Sequence, residues 1–361
     1  MDKTLQLQPC RRRHSFRSMT YHTTIQAAGH DGALQNESGE LFIKPTNQQE
    51  IDFYTAIARD DELQYITFLY MGTLLEQQLE QSAQLISQVT DTGNLGQLQD
   101  LAVLANKSDP IPNSQVCIVL ENGLHGYKDP SVIDVKLGSI LWDENAPAEK
   151  RTRLDQVSQT TTSGSLGYRI SGMNIYNNVT KTRHEYDRWF GRSLTAENIV
   201  EKGLARMFPE IGESDIQGQE SDLAIAMRQV MVDSVLEELQ YIYQILEQRE
   251  LRMVSGSVLI VYEGDLEEFH KKFTANVNWA GPKVDDKTND ESNDGNDNDE
   301  HDDDNDIEEE DEDNRPPPYC TVKLIDFAHT KLAPGLGADK NSLDGLRNLI
   351  KGIRQLADKW S

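Results

Sequence analysis

Asp134 and Lys136 stand two residues apart in Pro130-Ser131-Val132-Ile133-Asp134-Val135-Lys136-Leu137-Gly138, a β-branched run bounded by a proline and a glycine. With a period of two, both side chains point to one face of an extended strand. A carboxylate can accept a proton or hold a hydroxyl, and an ammonium beside it can neutralise a phosphate in flight. Taken alone, a D-x-K pair recurs by chance and usually lies on a solvated face; the full P-x-x-x-D-x-K-x-G frame is what sets this one apart. Directly after it, Ser139–Ser158 is helical in pattern and rich in cations, with Lys150, Arg151 and Arg153 against few acids. Such a segment reads either as a solvated helix face or as an anion clamp. Further on, Asp326 follows the apolar run Cys320–Ile325 and so sits at a strand end.

The elements that must position these residues are legible from spacing. Glu40–Pro45 reads as a strand, Gln49–Ile57 as a helix, Tyr65–Leu69 as a strand and Gln115–Leu120 as a buried strand ending at Glu121-Asn122-Gly123. Ala28–Gly32 reads as a turn, and the Gln-rich stretch 76–113 as a polar insertion. Thr160–Gly172 reads as a polar turn leading into a strand, and 186–195 as leading into a short helix. Asp222–Arg252 is a long amphipathic helix with Leu223, Met227, Val230, Val235, Leu239, Ile242 and Leu246 along one stripe. Ser257–Tyr262 and Cys320–Ile325 pair as a hairpin with a very long loop, and Ser342–Trp360 closes the chain as a second amphipathic helix.

A chain of 361 residues can bury a large core and form two lobes. Residues 285–313 hold 18 Asp/Glu and one Lys, so they carry −17 of the chain's −26 and leave the rest mildly acidic. That run has almost no apolar surface to offset its ordering entropy; it reads as a solvated loop or as a docking site for a basic partner. Direct DNA binding is not expected from an acidic chain. Cys10, Cys117 and Cys320 lack disulfide or zinc spacing, which points to a reducing compartment. The apolar runs are too short to span a bilayer, and no secretory signal is evident. Arg11, Arg12, Arg13 and Arg17 make residues 1–20 a disordered basic tail or a nuclear address, and the expected location is nuclear with some cytoplasmic.

Five spaced segments, PSVIDVKLG (130–138), TSGSLGYRISGM (162–173), GRSLT (191–195), SGSVLIVYEGD (255–265) and LIDFAH (324–329), resemble the inositol polyphosphate kinase family in type and order. The fungal multikinases of that family are the most similar, and Gly256 departs from the more usual S-S-S. The resemblance implies an α+β, two-lobed kinase-like fold: a small β-rich N-lobe over 21–123, and a larger α/β C-lobe over 124–361. The C-lobe would hold an inserted substrate-binding helical segment at 139–172 and a disordered acidic insertion at about 280–316. It also implies ATP as co-substrate, Mg2+ as cofactor and inositol tris- and tetrakisphosphates as acceptors, phosphorylated towards the pentakisphosphate.

Residue by residue, the resemblance assigns Lys44 to the nucleotide phosphates and Glu121 and Gly123 to adenine through backbone atoms. Asp134 is the ribose ligand or the proton acceptor, and Lys136 bridges the γ-phosphate and the attacking hydroxyl. Asp326 holds the metal, with Ser257 nearby. Lys150, Gln156, Gln159 and His329 fall on substrate contacts, with Arg151 and Arg153 added from charge. A monomer is expected. An inositol hexakisphosphate kinase is the rival reading, because it shares the S-x-x-L-G-x-R-x-x-G-M segment. A protein kinase is disfavoured by the missing H-R-D-x-x-x-x-N. A transcriptional scaffold is a further reading, since fungal members are linked to arginine-responsive gene control with MADS-box factors or other basic nuclear proteins.

Overall fold

The computed structural model describes residues 33–36, 38–75, 116–209, 219–279 and 316–360, with backbone alone at 75 and 219–223. The Ala28–Gly32 turn, residues 1–20, the polar insertion 76–113 and residues 280–315 of the acidic insertion lie outside them. Among the described residues, no helix is long and apolar enough to cross a membrane. The described residues divide into two units, 33–125 and 126–360.

In the first unit, β1 (Leu34–Gln35), β2 (Leu41–Pro45), β3 (Tyr70–Leu75) and β4 (Val116–Glu121) form an antiparallel sheet of order β1-β2-β4-β3. Leu41 and Ile43 alternate along β2 and bury against Leu74, Cys117 and Val119. Helix α1 (Gln48–Ile57) starts where the Asn47 side chain accepts the Glu50 N–H at 2.9 Å. The strand expected at Tyr65–Leu69 is instead the end of helix α2 (Asp61–Tyr65) and a connection; β3 starts at Tyr70. Asp60 decides this, because its carboxylate caps the Leu63 N–H at 3.1 Å and holds 61–65 in a helical turn.

The second unit is built on a five-stranded antiparallel sheet. Its strands are β5 (Pro130–Leu137), β6 (Tyr168–Asn177), β7 (Thr182–Tyr186), β9 (Ser257–Glu263) and β10 (Cys320–Ile325), in the order β10-β9-β5-β6-β7. β5 is central, and every residue from Pro130 to Val135 is buried. The β9–β10 hairpin has the register the sequence suggests, from Cys320 opposite Tyr262 to Ile325 opposite Ser257.

Helix α3 (Ala148–Gln159) begins later than the pattern from Ser139 implies, since Ser139–Pro147 is loop. A short helix α4 (Thr162–Leu166), capped by Gly167 at φ 72°, occupies the expected polar turn. Helix α5 (Arg188–Ser193) follows β7, and a π turn and a 3-10 turn over Ile199–Met207 lead on.

The long helix α6 (Gln219–Glu247) buries Met227, Val235, Leu239, Ile242 and Leu246. It ends short of the expected Arg252, because Leu251–Met253 is drawn into strand β8 against β11 (Thr330–Leu332). Helix α7 (Leu266–Asn278), not apparent from the sequence pattern, extends the unit beyond β9. Helix α8 (Lys340–Trp360) buries Leu343, Leu346, Ile350, Ile353 and Leu356 as its spacing predicts.

Candidate active site

Cross-strand pairing sets the second unit's polar residues in rows on one sheet face. Ser257 lies opposite Lys136 on one side, Arg169 lies opposite it on the other, and Ile325 lies opposite Ser257. Directly opposed residues share a face, so Ser257, Lys136 and Arg169 form one row across β9, β5 and β6. Asp134 is two residues back on β5 and on the same face. Asp326 follows Ile325 at the strand end, with φ at +67°, a left-handed conformation that non-glycine residues rarely hold. The structure thus brings Asp134, Lys136, Ser257 and Asp326 to one end of one sheet.

The local geometry is built around that row. The register of β5 and β6 slips by one residue between Asp134 and Val135, leaving Ser171 as an extra residue in β6. Bulges of this kind re-aim side chains next to functional sites. The Lys136 ammonium donates to the Ser255 carbonyl at 2.7 Å, and Ser255 itself is held at φ +57° by donating its hydroxyl to Leu141 O. The loop after Lys136 is clamped from α8, where Asn341 Oδ1 accepts from the Ser139 and Ile140 N–H groups at 2.9 and 3.0 Å.

Two buried hydroxyls on this sheet, Ser171 Oγ and Ser257 Oγ, like Thr162 Oγ1 on α4, have no hydrogen-bond partner among the described residues. Buried polar atoms are usually satisfied, so these two mark a place that suits a polar ligand. An aspartate and a serine oxygen are also donors that fit a hard divalent cation, which takes one or two carboxylates and completes its shell with phosphate and water oxygens.

Sequence reasoning left Arg169 and Arg192 out of the site. Arg169 donates to Ser163 Oγ at 2.8 Å. Burial first, and the neighbouring Arg192 second, lower its pKa to about 10, against the opposing pull of Asp134. Both arginines stand in segments that carry the family resemblance, LGYRISGM and GRSLT, so a signal is present in the sequence; only the cross-strand register reveals that Arg169 faces Lys136.

The residues assigned to substrate occupy α3 and β11's approach. Lys150, Arg153, Gln156 and Gln159 recur at three-residue steps along α3, with Arg153, Gln156 and Gln159 exposed. Each neighbouring pair is adjacent on the helix surface, but Lys150 and Gln159 end on opposite sides of it. Arg151 does something else. It donates to Ala146 O at 2.7 Å and to Glu144 O, and its guanidinium lies 4.7 Å over the Trp142 ring, so it fixes the loop before the helix. His329 Nδ1 lies 2.6 Å from Asp143 Oδ2, which orients the imidazole and leaves Nε2 for another partner.

In the first unit, Lys44 points from β2 to Glu50 on α1, 3.0 Å away, and both side chains are at least nine-tenths buried. Glu50 also accepts the Thr46 hydroxyl at 2.7 Å. The strand-lysine to helix-glutamate ion pair is the arrangement protein kinases use to fix the phosphate-binding lysine. Sequence reasoning missed Glu50, although Asn47-Gln48-Gln49-Glu50 carries the spacing of a capping box. Glu121 ends β4 with its N–H on Leu69 O at 2.9 Å. Gly123 lies so close to Phe68 that a Cβ there would fall 2.3 Å from the ring, and buried Asn122 ties the segment to Gly39 O at 2.7 Å.

An antiparallel α+β fold with a lysine–glutamate pair in its smaller unit and this polar row in its larger one defines a kinase-like enzyme. The sequence profile of the family described as inositol polyphosphate kinase matches residues 117–354. The chain is 32% identical over 353 residues to the inositol polyphosphate multikinase of Saccharomyces cerevisiae, covering 90% of this chain and 95% of that protein. It is 29% identical over 245 residues to the inositol polyphosphate multikinase of Schizosaccharomyces pombe, covering 66% and 78%. The crystal structure of the S. cerevisiae inositol phosphate multikinase with ADP and Mn2+ superposes with a TM-score of 0.59 at 26% identity, covering 88% of this chain and 99% of that one. The chain belongs to the inositol polyphosphate kinase family and is an inositol phosphate kinase.

Proposed function

We propose that the protein is an ATP- and Mg2+-dependent inositol polyphosphate multikinase that phosphorylates inositol tris- and tetrakisphosphates towards the pentakisphosphate. The observation that carries this reading is the row of Ser257, Lys136 and Arg169 with Asp134 beside it and Asp326 at the strand end, in a chain whose similarity to the yeast multikinase runs nearly end to end. The solved yeast relative binds ADP and Mn2+, which supports a nucleotide and a divalent metal here.

Phosphoryl transfer asks the protein chiefly to position groups and to neutralise charge. In the second unit, Lys136 supplies the cation at the transferring group, held in place by the Ser255 carbonyl. Asp134 orients the ribose or takes the proton from the attacking hydroxyl. Asp326 and Ser257 would hold Mg2+, which when bound offsets charge on the nucleotide phosphates. Arg153, Gln156 and His329 take phosphates and hydroxyls of the cyclitol, with Asp143 fixing the His329 ring; of Lys150 and Gln159, on opposite sides of α3, only one joins them. In the first unit, Lys44 takes nucleotide phosphate, aligned by Glu50, and the backbone at Glu121 and Gly123 takes adenine.

Purified protein with Mg-ATP and a panel of inositol phosphates, resolved by anion exchange, tests the reading. Stepwise conversion of a trisphosphate to the pentakisphosphate is expected. Turnover of the hexakisphosphate alone would favour the rival pyrophosphate-forming reading. A role for the acidic run in binding basic nuclear proteins such as MADS-box factors, with nuclear location, is a separate proposal. It rests on charge alone, and pull-down with and without 285–313 tests it.

A further inference from the structure

We propose that Asn341, in the first turn of α8, is a positioning residue for phosphoryl transfer: it fixes the loop Gly138–Leu141, and through it the spacing between Lys136 on β5 and the acceptor helix α3. The inference rests on the functional reading above. It adds a residue from an element that carries none of the groups assigned to acceptor, nucleotide or metal.

Three observations carry it. First, the loop is held by hydrogen bonds rather than by burial. Ser139 and Ile140 are both exposed, Ile140 by 52%. Asn341 Oδ1 accepts from the Ser139 N–H at 2.9 Å, the Ile140 N–H at 3.0 Å and the Ser139 hydroxyl at 3.2 Å, and Asn341 Nδ2 donates to Ile140 O at 3.3 Å. One side-chain amide thus uses both its ends on two consecutive loop residues, and the two backbone donors decide which end is the oxygen.

Second, those loop residues are where the lysine and the acceptor helix meet. Ser158, in the last turn of α3, donates its hydroxyl to Ser139 O at 2.6 Å. Ser255 donates its hydroxyl to Leu141 O at 3.0 Å, and its own carbonyl accepts from the Lys136 ammonium at 2.7 Å. A shift of Ser139–Leu141 is therefore passed to both partners.

Third, α8 is seated tightly against this junction. Gly138 has φ +93°, and a Cβ on it would fall 2.3 Å from Asn341 Nδ2. Gly345, one turn along α8 from Asn341, would place a Cβ 2.0 Å from the Gly167 carbonyl oxygen, which accepts the Gly138 N–H at 2.7 Å. Just before Asn341, Asp339 Oδ2 accepts from the Met253 N–H at 2.9 Å and from the Ser342 hydroxyl at 2.8 Å, so α8 starts from the strand that leads to Ser255. The side chain that grips the loop is itself anchored on both sides. A misplacement of about 1 Å between reacting groups costs on the order of a hundredfold in rate, so a residue that sets this spacing acts on the chemical step.

The test compares wild type with Asn341→Ala, Asn341→Asp, Ser158→Ala and the double variant Asn341→Ala with Ser158→Ala. It measures kcat, KM for inositol trisphosphate and KM for ATP, with melting temperature alongside. Asn341→Ala should lower kcat by about tenfold to a hundredfold, with a smaller rise in the acceptor KM, and leave the ATP KM and melting temperature near wild type. Asn341→Asp keeps the Oδ1 acceptor and gives up only the contact to Ile140 O, so it should return most of kcat. Ser158→Ala should lower kcat less. The double variant should fall short of the product of the single losses, because both side chains act through Ser139.

An unchanged kcat in Asn341→Ala would overturn the assignment. So would a loss that Asn341→Asp leaves in place, one that follows melting temperature alone, or one confined to the ATP KM. Fully multiplicative losses in the double variant would overturn the shared route through Ser139. If wild type turned over no inositol phosphate, the functional reading would have failed, and this inference with it.

Discussion

Lys44 and Lys136 are both strand lysines beside a carboxylate in sequence or space, yet the protein holds them in opposite ways. Lys44 is sealed in a salt bridge with Glu50, and little of either side chain reaches solvent. Lys136 is half-buried, bonds a backbone carbonyl and shares its row with Arg169. Breaking a buried pair strands the remaining charge, whereas a carbonyl contact leaves the ammonium its positive field. One lysine is therefore neutralised and part of the packing; the other is left as net charge. A group of the first kind is suited to aligning a ligand already bound, and one of the second kind to meeting charge that develops during reaction.

Asp326→Asn should have the largest effect, since it removes formal charge from the proposed metal site but barely alters shape. Activity should fall by about a hundredfold or more, with partial recovery at high Mg2+. An unchanged rate across a Mg2+ titration would take Asp326 out of the site.

Next, Glu50→Ala should destabilise the first unit by about 3–5 kcal/mol, because Lys44 is left charged and buried. Chemical denaturation measures this. A loss below about 1 kcal/mol would place the pair with exposed ion pairs and erase the contrast between the two lysines. The milder Glu50→Gln should raise the ATP KM more than it slows turnover.

Asp143→Asn should raise the acceptor KM by about fivefold, the scale of one hydrogen bond that orients His329, with ATP KM unchanged. Equal shifts for both substrates would contradict an orienting role on the acceptor alone.

The smallest effect is expected from replacing 285–313 by a short Gly/Ser linker. β9 and β10 pair along their whole length, and loop closure costs only about 0.6 kcal/mol per doubling. Rate and stability should stay near wild type; loss of catalysis in a folded protein would give the acidic run a part in the site.

How much of this is legible in the sequence differs between the same two regions. In the second unit the β-branched and apolar runs at 130–137 and 257–262 mark strands, and the period of two puts Asp134 and Lys136 on one face, so Asp134, Lys136 and Ser257 can be recovered from residue spacing and family resemblance. Arg169 and Arg192 cannot. Their relation to Lys136 depends on which strand pairs with β5, on the one-residue slip at Ser171 and on a glycine seated against Ile170, none of which periodicity encodes. In the first unit the short strands and helices give weaker patterns. Tyr65–Leu69 has the composition of a strand, but an aspartate cap turns its start into helix. Glu50 looks like an ordinary surface acid because nothing in its spacing shows that it will be buried against Lys44 of β2.

Lys136→Ala, measured by single-turnover phosphoryl transfer alongside ATP binding and melting temperature, tests the central claim most directly. If Lys136 supplies uncompensated charge to the transferring phosphoryl, the rate constant should fall by about a hundredfold or more. ATP affinity and stability should remain close to wild type. A near wild-type rate constant, or a loss explained entirely by weaker ATP binding or unfolding, would contradict it.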